Sequence, residues 1–155
     1  MFILQVCGAL NKAKIGYAIV GGYAVALHGA VRGTVDLDIV LDLSEKDYVA
    51  SEKVFTGLGL QCRLPVSAKQ VFRFRQEYIE NRNLVAWSFF DPIRPANQMD
   101  VIITHDQSKM KVEILTIQGV KVRVASIPDL IKMKKDANRP QDLEDIAALR
   151  KLQKK

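Results

Sequence analysis

The stretch IVGGYAVALHGAVRGTVDLDIVLDL, residues 19–43, limits what this chain can fold into more than any other. It sets a glycine pair after one apolar run and two aspartates, Asp36 and Asp38, inside the next. TVDLDIVLDL reads as a strand because β-branched and apolar residues dominate it, and a period of two puts Thr34, Asp36 and Asp38 on one face. Leu37 and Ile39 then anchor the other face. Two ionised carboxylates that close repel each other. Each needs solvent, a basic partner or a metal ion.

The surrounding sequence supplies a sheet for this strand. Residues 2–14 read as an amphipathic helix, with Ile3, Val6, Cys7 and Leu10 at helical spacing. YAIVG from Tyr17 is a short strand that ends at Gly21 and Gly22, and GYAVALHGA is a second helix closed near Gly29. Ser44 with Asp47 forms an N-terminal cap for SEKDYVASEKVFTGLG, which Gly57 and Gly59 end. A helix is expected near SAKQVFRFRQEYI. LVAWSFFD and MDVIIT read as antiparallel strands, because the turn from Pro92 to Asn97 between them is short. Residues 106–117 fit helix or strand equally, and GVKVRVAS is a strand. Pro128 and Pro140 each sit where a helix can begin; Leu143, Ile146, Ala147 and Leu149 or Arg150 mark the faces of the last one. The order predicts an α/β (α+β) fold, a mixed sheet with flanking helices closed by C-terminal helices.

At 155 residues, 48% hydrophobic and 26% charged, the chain is long enough for one domain with a real core. No apolar run reaches the ~18 residues a membrane span requires. The opening MFILQVCGAL lacks the basic segment of a secretion signal. Cys7 and Cys62, far apart in apolar settings, suggest neither a disulfide framework nor a thiolate metal site, and a reducing cytoplasm is the simplest compartment. The net charge of +6 permits a polyanionic partner without demanding one. Residues 130–155 carry eight Lys or Arg against four Asp or Glu, a balance that also describes a solvated helix face.

Asp36 and Asp38, with Cβ atoms about 7 Å apart on one strand face, can reach one cation. Hard carboxylate oxygens suit Mg²⁺ or Mn²⁺, which bind one or two carboxylates plus substrate phosphates. Asp100, an acid at the start of an apolar strand, is the candidate third carboxylate. Taken alone, these are strand-end acids facing water. The glycine pair fourteen residues before Asp36 changes that. Gly21 and Gly22 lie at a strand-to-helix turn, where backbone N–H groups make a phosphate site, so the sequence describes a pocket with phosphate at one wall and metal at the other. His28 and His105 are read as a packed or capping residue and a loop residue, and without a His or Cys cluster zinc chemistry is disfavoured.

The block VGGYAVALHGAVRGTVDLDIVL resembles the nucleotidyltransferases of the DNA polymerase beta superfamily, in particular the bacterial group of minimal nucleotidyltransferases and abortive-infection toxin-like enzymes. The likeness lies in the glycine pair, the small-residue helix and R-x-T-x-D-x-D. A second block, VRVASIPDLIKMKKDANRPQDLEDIAAL, is similar to that group's C-terminal pattern of a Leu-Ile helix, a Lys, an Arg and a spaced Asp pair; together the blocks cover roughly a third of the chain. The resemblance implies a single nucleotidyltransferase-like domain over 1–155, with a core of about 15–125 and a helical cap of about 127–153. It implies that Gly21 and Gly22 hold the triphosphate of an NTP and that Asp36 and Asp38 bind two Mg²⁺ or Mn²⁺ ions. Asp100 would help to deprotonate an acceptor hydroxyl. Arg32 and Thr34 would contact nucleotide or phosphate, or else be structural. Lys134 and Asp142 fall at cleft-lining positions; for Lys134 a solvated helix lysine is an equal alternative, given Lys132 and Lys135 beside it. The implied reaction moves an NMP group from the NTP to a hydroxyl on a small molecule, a protein or a tRNA, releasing pyrophosphate. The alternative is a catalytically silent nucleotide-binding module that pairs with a cognate antitoxin or toxin. A nucleic-acid-binding protein, resting on net charge alone, stands third.

Overall fold

The computed structural model describes residues 1–31, 33 and 36–154. Helix α1 (Phe2–Lys12) buries the stripe Ile3, Leu4, Val6, Cys7 and Leu10, as its spacing requires. Strand β1 (Tyr17–Val20) is buried along its whole length and passes straight into α2 (Gly21–Leu27). Strand β2 (Leu37–Leu41) follows, then α3 (Glu45–Gly57), whose Ser44 side chain accepts from the Asp47 N–H as the cap. The chain continues through β3 (Gln61–Cys62), α4 (Ala68–Arg73), α5 (Arg75–Arg82), β4 (Ala86–Phe90) and β5 (Gln98–Ile102). A single 3₁₀ turn at Gln107–Lys109 leads into the hairpin of β6 (Val112–Ile117) and β7 (Val120–Ala125). Helices α6 (Ile127–Ala137) and α7 (Pro140–Gln153) close the chain, each with proline in its first turn.

The strands form one mixed sheet in the order β3-β4-β5-β2-β1-β7-β6. β4 and β5 are antiparallel, as their short connection requires, whereas β2 runs parallel to β5 and β1 parallel to β7. One face of the sheet is dry. Trp87 stacks on Tyr48 of α3 at 5.6 Å between ring centroids, and Phe55 meets Phe89 edge-on at 5.0 Å. On the opposite face the alternate residues Ser88, Phe90, Asp100 and Ile102 are only half-buried. This asymmetry keeps the acids of β2 and β5 accessible.

Local details differ from the sequence reading for physical reasons. β2 begins at Leu37, so Asp36 lies in a bend just before the strand and not within it. The single helix expected near residues 67–79 is broken at Phe74, whose backbone leaves the helical region (φ −103, ψ 18). β3, with two residues, is too short to show a period. The ambiguous stretch 106–117 contains both answers, a 3₁₀ turn and then a strand. On α7, Leu143 is 58% exposed, and the inward stripe is Asp142, Asp145, Ile146 and Leu149.

Candidate functional site

Two consecutive turns of the sheet build the site. Val20, the last residue of β1, pairs with Asp38, and on the other side of β2 Asp38 stands in register with Asp100. Adjacent strands are about 4.8 Å apart, so two carboxylates separated by 62 positions become neighbours on the accessible face. Leu37 and Ile39 are fully buried beneath them. At about 1.5–3 kcal/mol each, these two side chains hold the strand against the cost of desolvating an acid between them.

Burial pushes the Asp38 carboxyl up to about 7, and the negative charges of Asp100 and Asp36 add to the rise; Lys134 opposes it. Asp38 is therefore a desolvated acid with two further acids close by and Lys134 as an opposing charge. Gly21 closes on it from the side. Its φ of +68° lies in the left-handed region that favours glycine, and a Cβ there would overlap the Asp38 Oδ2 atom. The glycine is thus required twice, by the turn and by the acid. Gly22 is buried in the first turn of α2.

A second polar cluster stands beside the first. Lys134 on α6 is 6% exposed, and its Nζ lies 2.8 Å from Asp145 Oδ2 and 3.7 Å from Asp142 Oδ1. Asp142 and Asp145 are 1% and 3% exposed. Lys132 and Lys135 are exposed, so of the three neighbouring lysines only Lys134 turns inward. Arg139 donates through Nε and an NH₂ group to both oxygens of Asp142, at 2.8 and 3.2 Å. That hydrogen bonding holds the Asp142 carboxyl below its usual range despite its burial. Arg139 also lies within electrostatic reach of Asp38.

The structure therefore brings together Gly21, Asp38 and Asp100, with Asp36 at the edge and Lys134 and Asp142 behind. Arg32 and Thr34 lie outside the described residues. His28 caps α2 and bonds the Ala125 carbonyl at 2.8 Å. Arg139 and Asp145 were not singled out as site residues; the Arg and the spaced Asp pair of the second sequence block were the signal that could have found them. Among the described residues no group of three or more His, Cys, Asp or Glu side chains forms a ready metal cage. Asp38 and Asp100 nevertheless fit a hard divalent cation, since Mg²⁺ characteristically takes one or two carboxylates and completes its shell with water and substrate phosphate. Such an ion would favour the ionised form of Asp38 that burial and the neighbouring acids disfavour.

Over residues 2–155 the sequence matches the family described as nucleotidyl transferase of unknown function (DUF2204). The chain belongs to this nucleotidyltransferase family. As an enzyme it is a transferase of nucleotidyl groups. No curated protein matches the chain. Among solved structures, this nucleotidyltransferase is similar to the antibiotic-resistance factor ANT(2'')-Ia, with a TM-score of 0.62 at 15% identity over 97% of this chain and 80% of that one. An antigenic nucleotidyltransferase-like protein from Paracoccidioides brasiliensis gives 0.58 at 18% over 95% and 72%. The lincosamide antibiotic adenylyltransferase LnuA, solved with lincomycin bound, gives 0.58 at 13% over 92% and 90%. At these identities the likeness establishes the fold, an α/β nucleotidyltransferase core.

Proposed function

We propose that the protein moves an NMP group from an NTP to a hydroxyl acceptor and releases pyrophosphate, with Mg²⁺ or Mn²⁺ as cofactor. The observation that carries this reading is the register pairing of Asp38 with Asp100 directly against the Gly21 turn. The turn at Gly21 and Gly22 presents backbone N–H groups to the triphosphate, and only side-chain-free residues allow phosphate so close to Asp38. Asp36 and Asp38 with Asp100 hold the divalent ions. When bound, the ions supply charge neutralisation to the attacking and leaving oxygens of an in-line displacement. Asp100 accepts the proton of the acceptor hydroxyl as its oxygen bonds to the α-phosphorus and the bond to pyrophosphate breaks. Lys134 and Asp142 brace the cleft wall by joining α6 to α7, and Arg32 and Thr34 contact nucleotide or phosphate. The domain extends over 1–155, with residues of about 127–153 acting as the cap of the cleft.

The test pairs binding with turnover. Mg²⁺ and NTP together should raise the melting temperature of the wild type, and labelled nucleotide should transfer to a member of a hydroxyl-acceptor panel. An Asp36→Asn, Asp38→Asn double variant should stay folded and lose metal-dependent transfer; full activity in that variant would sink the assignment. Nucleotide binding with no transfer across a broad panel would favour the silent module that pairs with a toxin or antitoxin.

A further inference from the structure

A group of cations beyond the C-terminal ends of β2 and β5 plays no part in the chemistry above. A half-enclosed cavity of about 280 Å³ opens there, lined among others by Arg75, His105, Lys109 and Lys132. Its cations Arg75, Lys109 and Lys132 come from separate places, α5, the 3₁₀ turn and α6, while burial pushes the His105 imidazole, after β5, down from its usual pKa and leaves it a hydrogen-bonding group. We propose that this cavity binds a phosphate-class anionic group carried by the acceptor, which makes the acceptor a small phosphorylated molecule with a free hydroxyl. The proposal rests on the nucleotidyl-transfer reading.

On the cavity wall three cations, Arg75, Lys109 and Lys132, outnumber two acids, Asp106 and Asp129, and both acids are engaged in hydrogen bonds within the protein. Asp106 Oδ1 accepts from the Leu43 N–H at 3.2 Å and from the Ser108 N–H and hydroxyl at 3.0 and 2.7 Å. Asp129 Oδ2 accepts from the Lys111 N–H at 2.7 Å and the Ser126 hydroxyl at 3.0 Å. Both acids thus tie loops together. Among the described residues Lys109 and Lys132 form no ion pair, and Arg75 donates only its Nε, to the Ile103 carbonyl. The Tyr48 hydroxyl is fully buried without a hydrogen-bond partner, an unmet donor within electrostatic reach of Arg75 and Asp106. A cationic acceptor would be repelled here. The volume lies below the ~300 Å³ at which drug-sized sites begin, which suits one compact charged group.

Placement ties the cavity to transfer. Thr104, on its wall, lies four residues beyond Asp100, and at ~3.3 Å per extended residue the two are at most about 13 Å apart. Helix α6 borders both places, with Lys134 toward Asp38 and with Lys132 and Met133 on the cavity wall. An acceptor of sugar-phosphate size can anchor its anion in the cavity while its hydroxyl reaches Asp100. A larger cavity of about 630 Å³, between α1 and the β6–β7 hairpin, carries Lys14, Lys121 and Arg123. It lies at the Gly16 end of β1, the end away from Gly21, and its Arg123 is already bonded to the Tyr17 carbonyl at 2.9 Å.

The test is a backbone-amide NMR titration with inorganic phosphate on protein saturated with Mg²⁺ and a non-hydrolysable NTP, so that the nucleotide site is filled. The NTP analogue should shift the amides of Gly21, Gly22 and Asp38; if it does not, the nucleotidyl-transfer reading fails whatever phosphate does. Phosphate should then shift Thr104 to Met110, Lys132 and Met133. A Lys109→Gln, Lys132→Gln variant, altering two exposed lysines, should bind phosphate at least tenfold more weakly while keeping the analogue-induced shifts. Phosphate shifts that spare the cavity, or persist undiminished in the variant, overturn the anion site. In transfer assays, phosphorylated acceptors should exceed their dephosphorylated counterparts at least tenfold in kcat/KM, and the variant should lose that preference. Equal rates for the two sets, or a preference only for an RNA oligonucleotide, overturn the assignment of the anion to a small acceptor.

Discussion

The protein holds two groups of sequestered aspartates side by side, and they respond to burial in opposite ways. Asp38 stands against Asp100 and Asp36, and its carboxyl rises to about 7. Asp142 is more deeply buried, yet Arg139 and Lys134 hold its carboxyl below the usual range. Burial raises both carboxyls; at Asp38 the neighbouring acids add to that rise, whereas at Asp142 the hydrogen bonds from Arg139 outweigh it. The group of Asp142 and Asp145 with Lys134 and Arg139 is internally balanced and couples two helices. The Asp38–Asp100 pair sets two acids against each other with burial disfavouring the ionised form of Asp38, the setting of a site that takes a cation or a proton.

This contrast can be broken most severely at the pair. Asp38→Asn should leave the fold intact and lower nucleotide transfer by about 10³-fold, since metal-mediated charge stabilisation is worth several kcal/mol and each tenfold about 1.4. Transfer of labelled NMP, read beside circular dichroism, measures both halves of that statement. The balanced group should behave in reverse. Lys134→Met removes the buried cation that Asp142 and Asp145 share and should lower stability by about 3–5 kcal/mol in urea unfolding. Adding Asp142→Asn and Asp145→Asn to that variant should restore most of the loss, because a neutral set has no charge left to compensate.

Gly21→Ala tests the point at which glycine and acid meet. A left-handed backbone without glycine, together with overlap on Asp38, should lower stability by about 1–3 kcal/mol and depress transfer. Differential scanning calorimetry beside the transfer assay separates the two losses.

The smallest effect is in pH. The folded pKa of Asp38 lies above its unfolded value, so between about pH 4 and 7 the native state keeps a proton that the unfolded chain has lost. In that window, without added divalent metal, stability should fall as pH rises, by on the order of 1–2 kcal/mol after allowance for solvent screening. Asp142 has the opposite sign: its contribution is present above about pH 4 and disappears as pH falls through its lowered pKa. Melting temperature against pH should accordingly lose its decline above pH 4 in Asp38→Asn and its acid limb in Asp142→Asn.

How far the sequence revealed this contrast depends on the range of each interaction. The stripe of α1, the proline starts of α6 and α7 and the Ser44 cap are local, and local pattern is what a sequence displays. The Asp36–Asp38 spacing suggested two acids on one strand, but β2 starts one residue too late for Asp36, and the close neighbour of Asp38 is Asp100. That pairing comes from strand order, which no spacing encodes. Lys134 was hidden among Lys132 and Lys135, and its burial follows from acids on another helix. The inward face of α7 was misread for the same reason: a stripe containing Asp142 and Asp145 does not look like a stripe until a lysine stands opposite.

The parallel seam between β2 and β5 has a further consequence. On one side of it lie β3, β4 and β5, joined antiparallel; on the other lie β2, β1, β7 and β6. Neither ribbon contains both acids of the pair. The site is a property of the seam and forms only when two distant stretches of chain have met, a loop closure that long-range strand pairing makes slow. During refolding, recovery of nucleotide binding should therefore lag behind recovery of strand and helix signal, so that the onset of binding marks the moment the two halves of the sheet join.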